Sequence, residues 1–100
     1  MVRHVIVWKL KEEFSEEEKQ RVKAEIKEGL ESLKGKIPGL LSIRVYTRGL
    51  PSSTADLMLD SEFESAEALK GYSEHPEHVA VANGRVRPNV AARSCMDFEV

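Results

Sequence analysis

Cysteine is nearly absent from this chain: Cys95 stands alone among 100 residues. A single thiol excludes an intramolecular disulfide and fits a reducing compartment. No run approaches the ~20 apolar residues of a membrane helix, and the start, MVRHVIVWKL, is too short and too alternating for a signal peptide. Excess charge of one sign is missing too. Fifteen basic residues against 17 acidic ones leave a formal net charge of −2, which does not favour nucleic acid as a partner. Arg85, Arg87 and Arg93 fall near one another but carry no interleaved aromatics, so they read as a solvated face. Repeats, linkers and low-complexity segments are also lacking. What remains, 41% hydrophobic and 32% charged, is an ordinary globular composition with length for one core. The expectation is a single cytoplasmic domain over residues 1–100, with neither nucleic acid nor membrane as partner.

VRHVIVWKL (Val2 to Leu10) is rich in β-branched residues and reads as a strand. Alternation puts His4, Ile6, Trp8 and Leu10 on one face and Arg3, Val5, Val7 and Lys9 on the other. Both sets are apolar at the centre, so both faces want cover. Ser15 opens a helix, and Glu18 three residues on completes a capping-box pattern. Val22, Ile26, Leu30, Leu33 and Ile37 form its apolar stripe, ended by Gly35 and Pro38-Gly39. Leu41 to Arg48 is a second strand, Gly49 to Ser53 a turn, and Thr54 to Phe63 a third strand. In that third strand Leu57 and Leu59 take one face, and Asp56, Met58 and Asp60 the other. Ala66, Leu69 and Tyr72 mark a short helix from Ser65. Pro76 stops it and starts another segment, with Val79, Ala82 and Val86 on its apolar side. Arg93 to Val100 is the fourth strand.

The order β-α-β-β-α-β with right-handed crossovers predicts an α+β, ferredoxin-like fold. In it an antiparallel four-stranded sheet has the third and fourth strands flanking the first and helices on one face. The other face, assigned Val5, Val7, Leu57 and Leu59, has no helix to cover it. A second subunit is the expected cover, and two sheets packed face to face make a dimeric α/β barrel.

Histidine and tyrosine are scarce, three and two in the chain, yet GYSEHPEHVAVA (Gly71 to Ala82) gathers Tyr72, His75 and His78. The expected topology sets the end of the fourth strand beside the start of the first, bringing Asp97 near His4, with the histidine cluster overhanging His4, Asp60 and Asp97. His78 is the third residue of the segment starting at Pro76, where the helix dipole keeps its ring neutral and usable as a base. Asp97 on the other ring nitrogen would fix the tautomer, and Tyr72 would donate to a substrate oxygen. Each residue has a structural reading as well: Tyr72 in the core, His75 as a cap, His4 as a satisfied core histidine. His75 and His78 lack a third ligand at recognisable spacing, with His4 and Glu77 the nearest options, so no metal is expected. Cys95 shares strand parity with Asp97 and reads as a buried small residue.

Tyr72-x-x-His75-Pro76-x-His78 before a short helix, His4 in the first strand, Phe63-Glu64-Ser65 before the second helix and Asp97-Phe98 in the last strand resemble the stress-responsive dimeric α/β-barrel (Dabb) family. Asp56 matches a common family position. The resemblance covers nearly the whole chain. It implies a ferredoxin-like homodimer with a cavity between sheet and helices, and most members have no assigned reaction. A plant polyketide cyclase branch uses a tyrosine donor and a histidine base supported by an aspartate, positions matching Tyr72, His78 and Asp97 here, and His4 matches a pocket histidine of that branch. The chain departs from the branch in two ways: the first long helix offers Val22, Ile26 and Leu30 in place of aromatics, and Asp56 stands where the branch carries a further pocket histidine.

Three functions follow from these readings. One is a small stress-associated dimer that binds a small ligand without an assignable reaction. Another is a cofactor-independent cyclase or isomerase with catalytic His78, Tyr72 and Asp97. The third is a monooxygenase or haem enzyme, the haem version weakest because no histidine has an evident proximal setting. The ligand-facing set is then His4, Ile6, Trp8, Asp56, Met58 and His75, with no cofactor.

Overall fold

A computed structural model describes residues 1–100. Strand β1 (Val2–Leu10) leads into helix α1 (Glu16–Glu31), followed by strands β2 (Leu40–Tyr46) and β3 (Leu57–Phe63). Helices α2 (Ala66–Glu74) and α3 (Pro76–Val81) come next. A π-helical turn (Ala82–Val86) and a 3-10 turn (Arg87–Asn89) then hand the chain to β4 (Val90–Glu99). The strands form one antiparallel sheet in the order β2-β3-β1-β4, the predicted ferredoxin-like arrangement. No helix is long and apolar enough to cross a membrane.

Local chemistry explains the element starts. Ser15 Oγ accepts from the Glu18 amide at 3.1 Å and Glu18 Oε1 accepts from the Ser15 amide at 3.0 Å, the reciprocal capping box. Ser65 Oγ caps α2 through the Ala68 amide. Pro76, which has no amide hydrogen to lose, takes the first position of α3.

The ends differ from the sequence reading. Helix α1 stops at Glu31, before Leu33 and Ile37, which reach the core from the following turns and are buried there. Gly39 adopts a φ of +81°, and a Cβ there would lie 2.5 Å from the Ala68 side chain. That turn therefore presses against α2, and glycine is what lets it. Strand β2 is shorter than expected, ending at Tyr46. Strand β3 begins three residues late because Asp56 ends the ladder: its amide donates to Trp8 O at 2.8 Å, and its carboxylate accepts from the Leu10 amide at 2.7 Å. Strand β4 begins three residues early, and the register shift at Lys9/Leu10 accommodates Ala91.

Register also corrects the faces. Residues directly opposite in an antiparallel pair share a face, and Leu57 and Leu59 stand opposite Trp8 and Ile6. Both leucines therefore join the core under the helices, at 3% and 1% exposure. Met58, opposite Val7, and Asp60, opposite Val5, move to the uncovered face. A one-residue shift of parity is enough to invert a whole strand. The uncovered face thus carries Val5, Val7, Met58, Tyr46, Met96 and Phe98, with Arg3 set between Asp60 and Glu62.

On the outer edge, α1 substitutes for a neighbouring strand. Glu31 Oε2 accepts from the Val45 amide at 2.9 Å, Lys27 Nζ donates to Val45 O at 2.8 Å, and the two side chains pair at 2.7 Å. Edge groups of β2 are satisfied in this way, which blunts edge-to-edge association there. Partial burial works against ionisation of Glu31, but the bonds from Lys27 and the Val45 amide prevail and hold its carboxyl below the usual range.

Candidate functional site

A cavity of about 610 Å³ lies between the helix side of the sheet and the chain from α2 to β4. Its walls are Ile6 and Trp8 of β1, Leu59 of β3, Leu30 of α1, and Ala82 and Val86 of the π-helical turn. Polar groups enter from several elements: His4 from β1, Tyr72 and Ser73 from α2, His78 from α3, Arg87 and Arg93 from the two sides of the last turn. Helix α1 contributes Leu30 alone, so the lining is mostly built by strand β1 and the segment after α2.

Tyr72 is the most enclosed of the polar groups, 1% exposed. Its ring lies 4.9 Å from Phe63, 4.2 Å from His78 and 6.1 Å from His4, centroid to centroid. Burial pushes the phenol pKa up, so the hydroxyl stays protonated. No protein group pairs with Tyr72 Oη. A buried hydroxyl without a partner costs on the order of 1–3 kcal/mol, which an oxygen of a bound molecule would relieve.

His78 Nδ1 lies 3.3 Å from Ser73 O. A carbonyl only accepts, so Nδ1 carries the proton and the lone pair belongs to Nε2. Burial lowers the imidazole pKa, and the charges of His4, Arg87 and Arg93 add to the effect, while the Ser73 carbonyl opposes it. The dipole expected to do this has little part. Helix α3 is six residues long, and its third residue belongs to the last turn as much as to the first.

Asp97 does not support His78. Its Oδ1 hydrogen-bonds His4 Nδ1, its direct neighbour across the β1–β4 ladder. Cys95 completes that group, with Sγ 3.5 Å from Asp97 Oδ1 and 3.8 Å from His4 Nδ1. The cysteine is exposed rather than buried, because β4 is an edge strand. Partial desolvation of the mostly exposed thiol, then the Asp97 carboxylate, raises its pKa and keeps it protonated, with Arg93 opposing. The three donor atoms lie within 4.8 Å of one another and are of kinds that zinc accepts. Their mutual hydrogen bonds account for the arrangement as it stands. His75 and His78 do not belong to it.

Of the sequence-predicted residues, the fold brings His4, Ile6, Trp8, Tyr72 and His78 to one cavity. Asp56 and Met58 lie elsewhere, beside a separate depression with Tyr46 and Arg48; the Asp56 carboxylate is occupied by the Leu10 amide. Asp60 pairs with Arg3 on the uncovered face. His75 caps α3, accepting from the Glu77 amide at 3.1 Å. Arg87, Arg93 and Ser73 are additions. Arg93 was legible from parity, two residues from Cys95 and four from Asp97 on one strand. Arg87 carries no such signal, since its placement depends on the π-helical and 3-10 turns. Both arginines line the cavity, where the sequence indicated only a solvated face, while Arg85 turns away to Glu28 and the Glu25 carbonyl.

Solved structures share this architecture. A dimeric protein of unknown function and ferredoxin-like fold from Bacteroides fragilis is 34% identical, with a TM-score of 0.92 over 99% of this chain and 95% of its own. A Dabb family protein with a ferredoxin-like fold from Mesorhizobium loti is 25% identical, with a TM-score of 0.75 over 99% and 95% of the two chains. The hydroxynitrile lyase of Passiflora edulis has a TM-score of 0.72 over 97% and 90%, but at 17% identity the likeness is one of fold alone. No curated protein matches the chain in sequence. The model of the stress responsive A/B barrel domain matches residues 2–100, and the chain belongs to that family.

Proposed function

We propose that this protein is a homodimer that binds a small carbonyl compound in the cavity and moves a proton on it without a cofactor. His78 Nε2 takes a proton from the carbon beside the carbonyl. The electron pair left behind moves onto the carbonyl oxygen, where the Tyr72 hydroxyl donates a hydrogen bond. Return of the proton to another position completes an isomerisation; attack of the carbanion on a second carbonyl breaks that C=O π bond and, with the Nε2 proton passed to the resulting alkoxide, completes a cyclisation.

The observation that carries this reading is the buried Tyr72 hydroxyl, unpartnered, beside a neutral imidazole whose Nδ1 is already committed to Ser73. The homodimer is supported by the half-buried apolar residues of the uncovered sheet face and by the dimeric relative from Bacteroides fragilis. A reducing, cytoplasmic setting is part of the proposal and rests on the lone thiol.

Deuterium exchange into a panel of β-keto compounds tests it. Exchange should exceed that in buffer, survive His75→Ala and disappear in His78→Ala; rates equal to buffer across the panel would remove the reaction.

A second reading, ligand binding without turnover, is favoured by one observation. Asp97 sits on His4, so an imidazolium formed at His78 has no carboxylate partner to stabilise it.

A further inference from the structure

We infer that the cavity selects small organic anions, a carboxylate being held at its rim by Arg87 and Arg93. The inference rests on the small-molecule reading above and adds the charge of the ligand. The 15 residues lining the cavity include two guanidinium groups and two imidazoles, and no aspartate or glutamate. In the chain as a whole acidic residues outnumber basic ones, 17 to 15, so the lining runs against the background.

Arg3 is committed to Asp60 and Glu62 and Arg85 to Glu28, while Arg21, Arg44 and Arg48 lie outside the cavity. No ion pair of the chain includes Arg87 or Arg93. Arg87 donates to a neutral partner, Asn83 Oδ1. Asp97 shares its face of β4 with Arg93, yet it is engaged by His4 and Cys95 and lies outside the lining.

The two arginines arrive from opposite sides of one turn. Arg93 stands opposite Trp8 in the ladder, and Arg87 opens the 3-10 turn before β4. A guanidinium presents paired donors that match the two oxygens of a carboxylate, and the apolar walls beside it strengthen the attraction. Tyr72 supplies an independent sign of a ligand oxygen deeper in, being a buried donor without an acceptor. Both arginines are exposed, so salt screens their part of the binding.

Trp8 is the only tryptophan and lies in the lining, so its fluorescence reports occupancy. Acetoacetate, levulinate and benzoylacetate are titrated beside their methyl esters at low and high salt. The acids should change the signal saturably and lose affinity as salt rises. The esters, and the acids with Arg87→Gln/Arg93→Gln, should bind roughly tenfold more weakly. Arg87→Lys/Arg93→Lys should recover much of the loss. Arg21→Gln/Lys34→Gln, which removes the same two charges from exposed positions outside the cavity, should bind the acids as tightly as the native protein does. Esters as tight as their acids, or acids indifferent to the double glutamine variant, overturn the anion preference and leave cavity binding standing. No signal from either member of any pair removes both. Acids that bind without deuterium exchange keep the anion site and remove only the proton transfer.

Discussion

The imidazole of His78 lies against the phenol of Tyr72, ring centroids 4.2 Å apart and planes inclined by 38°. Tyr72 lies in the last turn of α2 and His78 stands in α3, and the break at Pro76 turns them toward each other. Tyr72 is thereby a core residue, packed on Phe63, and in the proposed reaction the donor beside the base. The two roles separate by mutation.

Tyr72→Phe keeps the packing and deletes a hydroxyl that has no protein partner. Its stability should rise, by up to about 1–3 kcal/mol, because the cost of an unpartnered buried hydroxyl is removed and no made hydrogen bond is lost. Tyr72→Ala should cost about 3–5 kcal/mol, the range for removing a large buried ring. Urea unfolding of both variants, with exchange assays beside them, checks this. A large stability loss in Tyr72→Phe would mean the hydroxyl is structural and the donor role wrong.

His78 makes stability depend on pH. Its folded pKa is lowered by burial and by nearby positive charge, whereas an unfolded histidine titrates near about 6.5. Below that pH the unfolded chain takes up a proton that the folded one refuses, so the stabilising contribution is full above about 6.5 and is lost as pH falls through the folded value. Melting temperatures from pH 8 to 5 should decline more steeply for the native protein than for His78→Gln. The acid limb of any exchange reaction should fall below the usual histidine range. Parallel melting profiles for the two proteins would contradict the assignment.

Val7 and Met58 face each other at the centre of the uncovered sheet face, both half-buried in the isolated chain. If a second copy covers them, light scattering at micromolar concentration should give twice the 11.3 kDa chain mass. Val7→Lys should give a folded monomer by buried-charge repulsion. A monomeric mass for the native protein would dispose of the barrel.

Asp56 closes the β1–β3 ladder through the Leu10 amide at 2.7 Å. Asp56→Ala leaves that donor without its charged acceptor and should cost about 1–3 kcal/mol, read by urea unfolding. Ligand affinity by Trp8 fluorescence should be unchanged, since Asp56 is not in the lining. Weaker binding at equal stability would return Asp56 to the site.

What sequence alone determined here was local. The Ser15–Glu18 capping box, the N-cap at Ser65, the break at Pro76 and the β-branched run of β1 each depend on residues within a few positions. The element order then sufficed for a ferredoxin-like sheet, and with it the nearness of Asp97 to His4. Only tertiary structure decided which face Leu57, Leu59 and Met58 take, because strand register is a contact between segments about 50 residues apart. For the same reason GYSEHPEHVAVA did not show its own partners. Asp97 goes to His4, the Ser73 carbonyl goes to His78, and Arg87 and Arg93 reach the cavity through turns whose geometry no short-range pattern specifies.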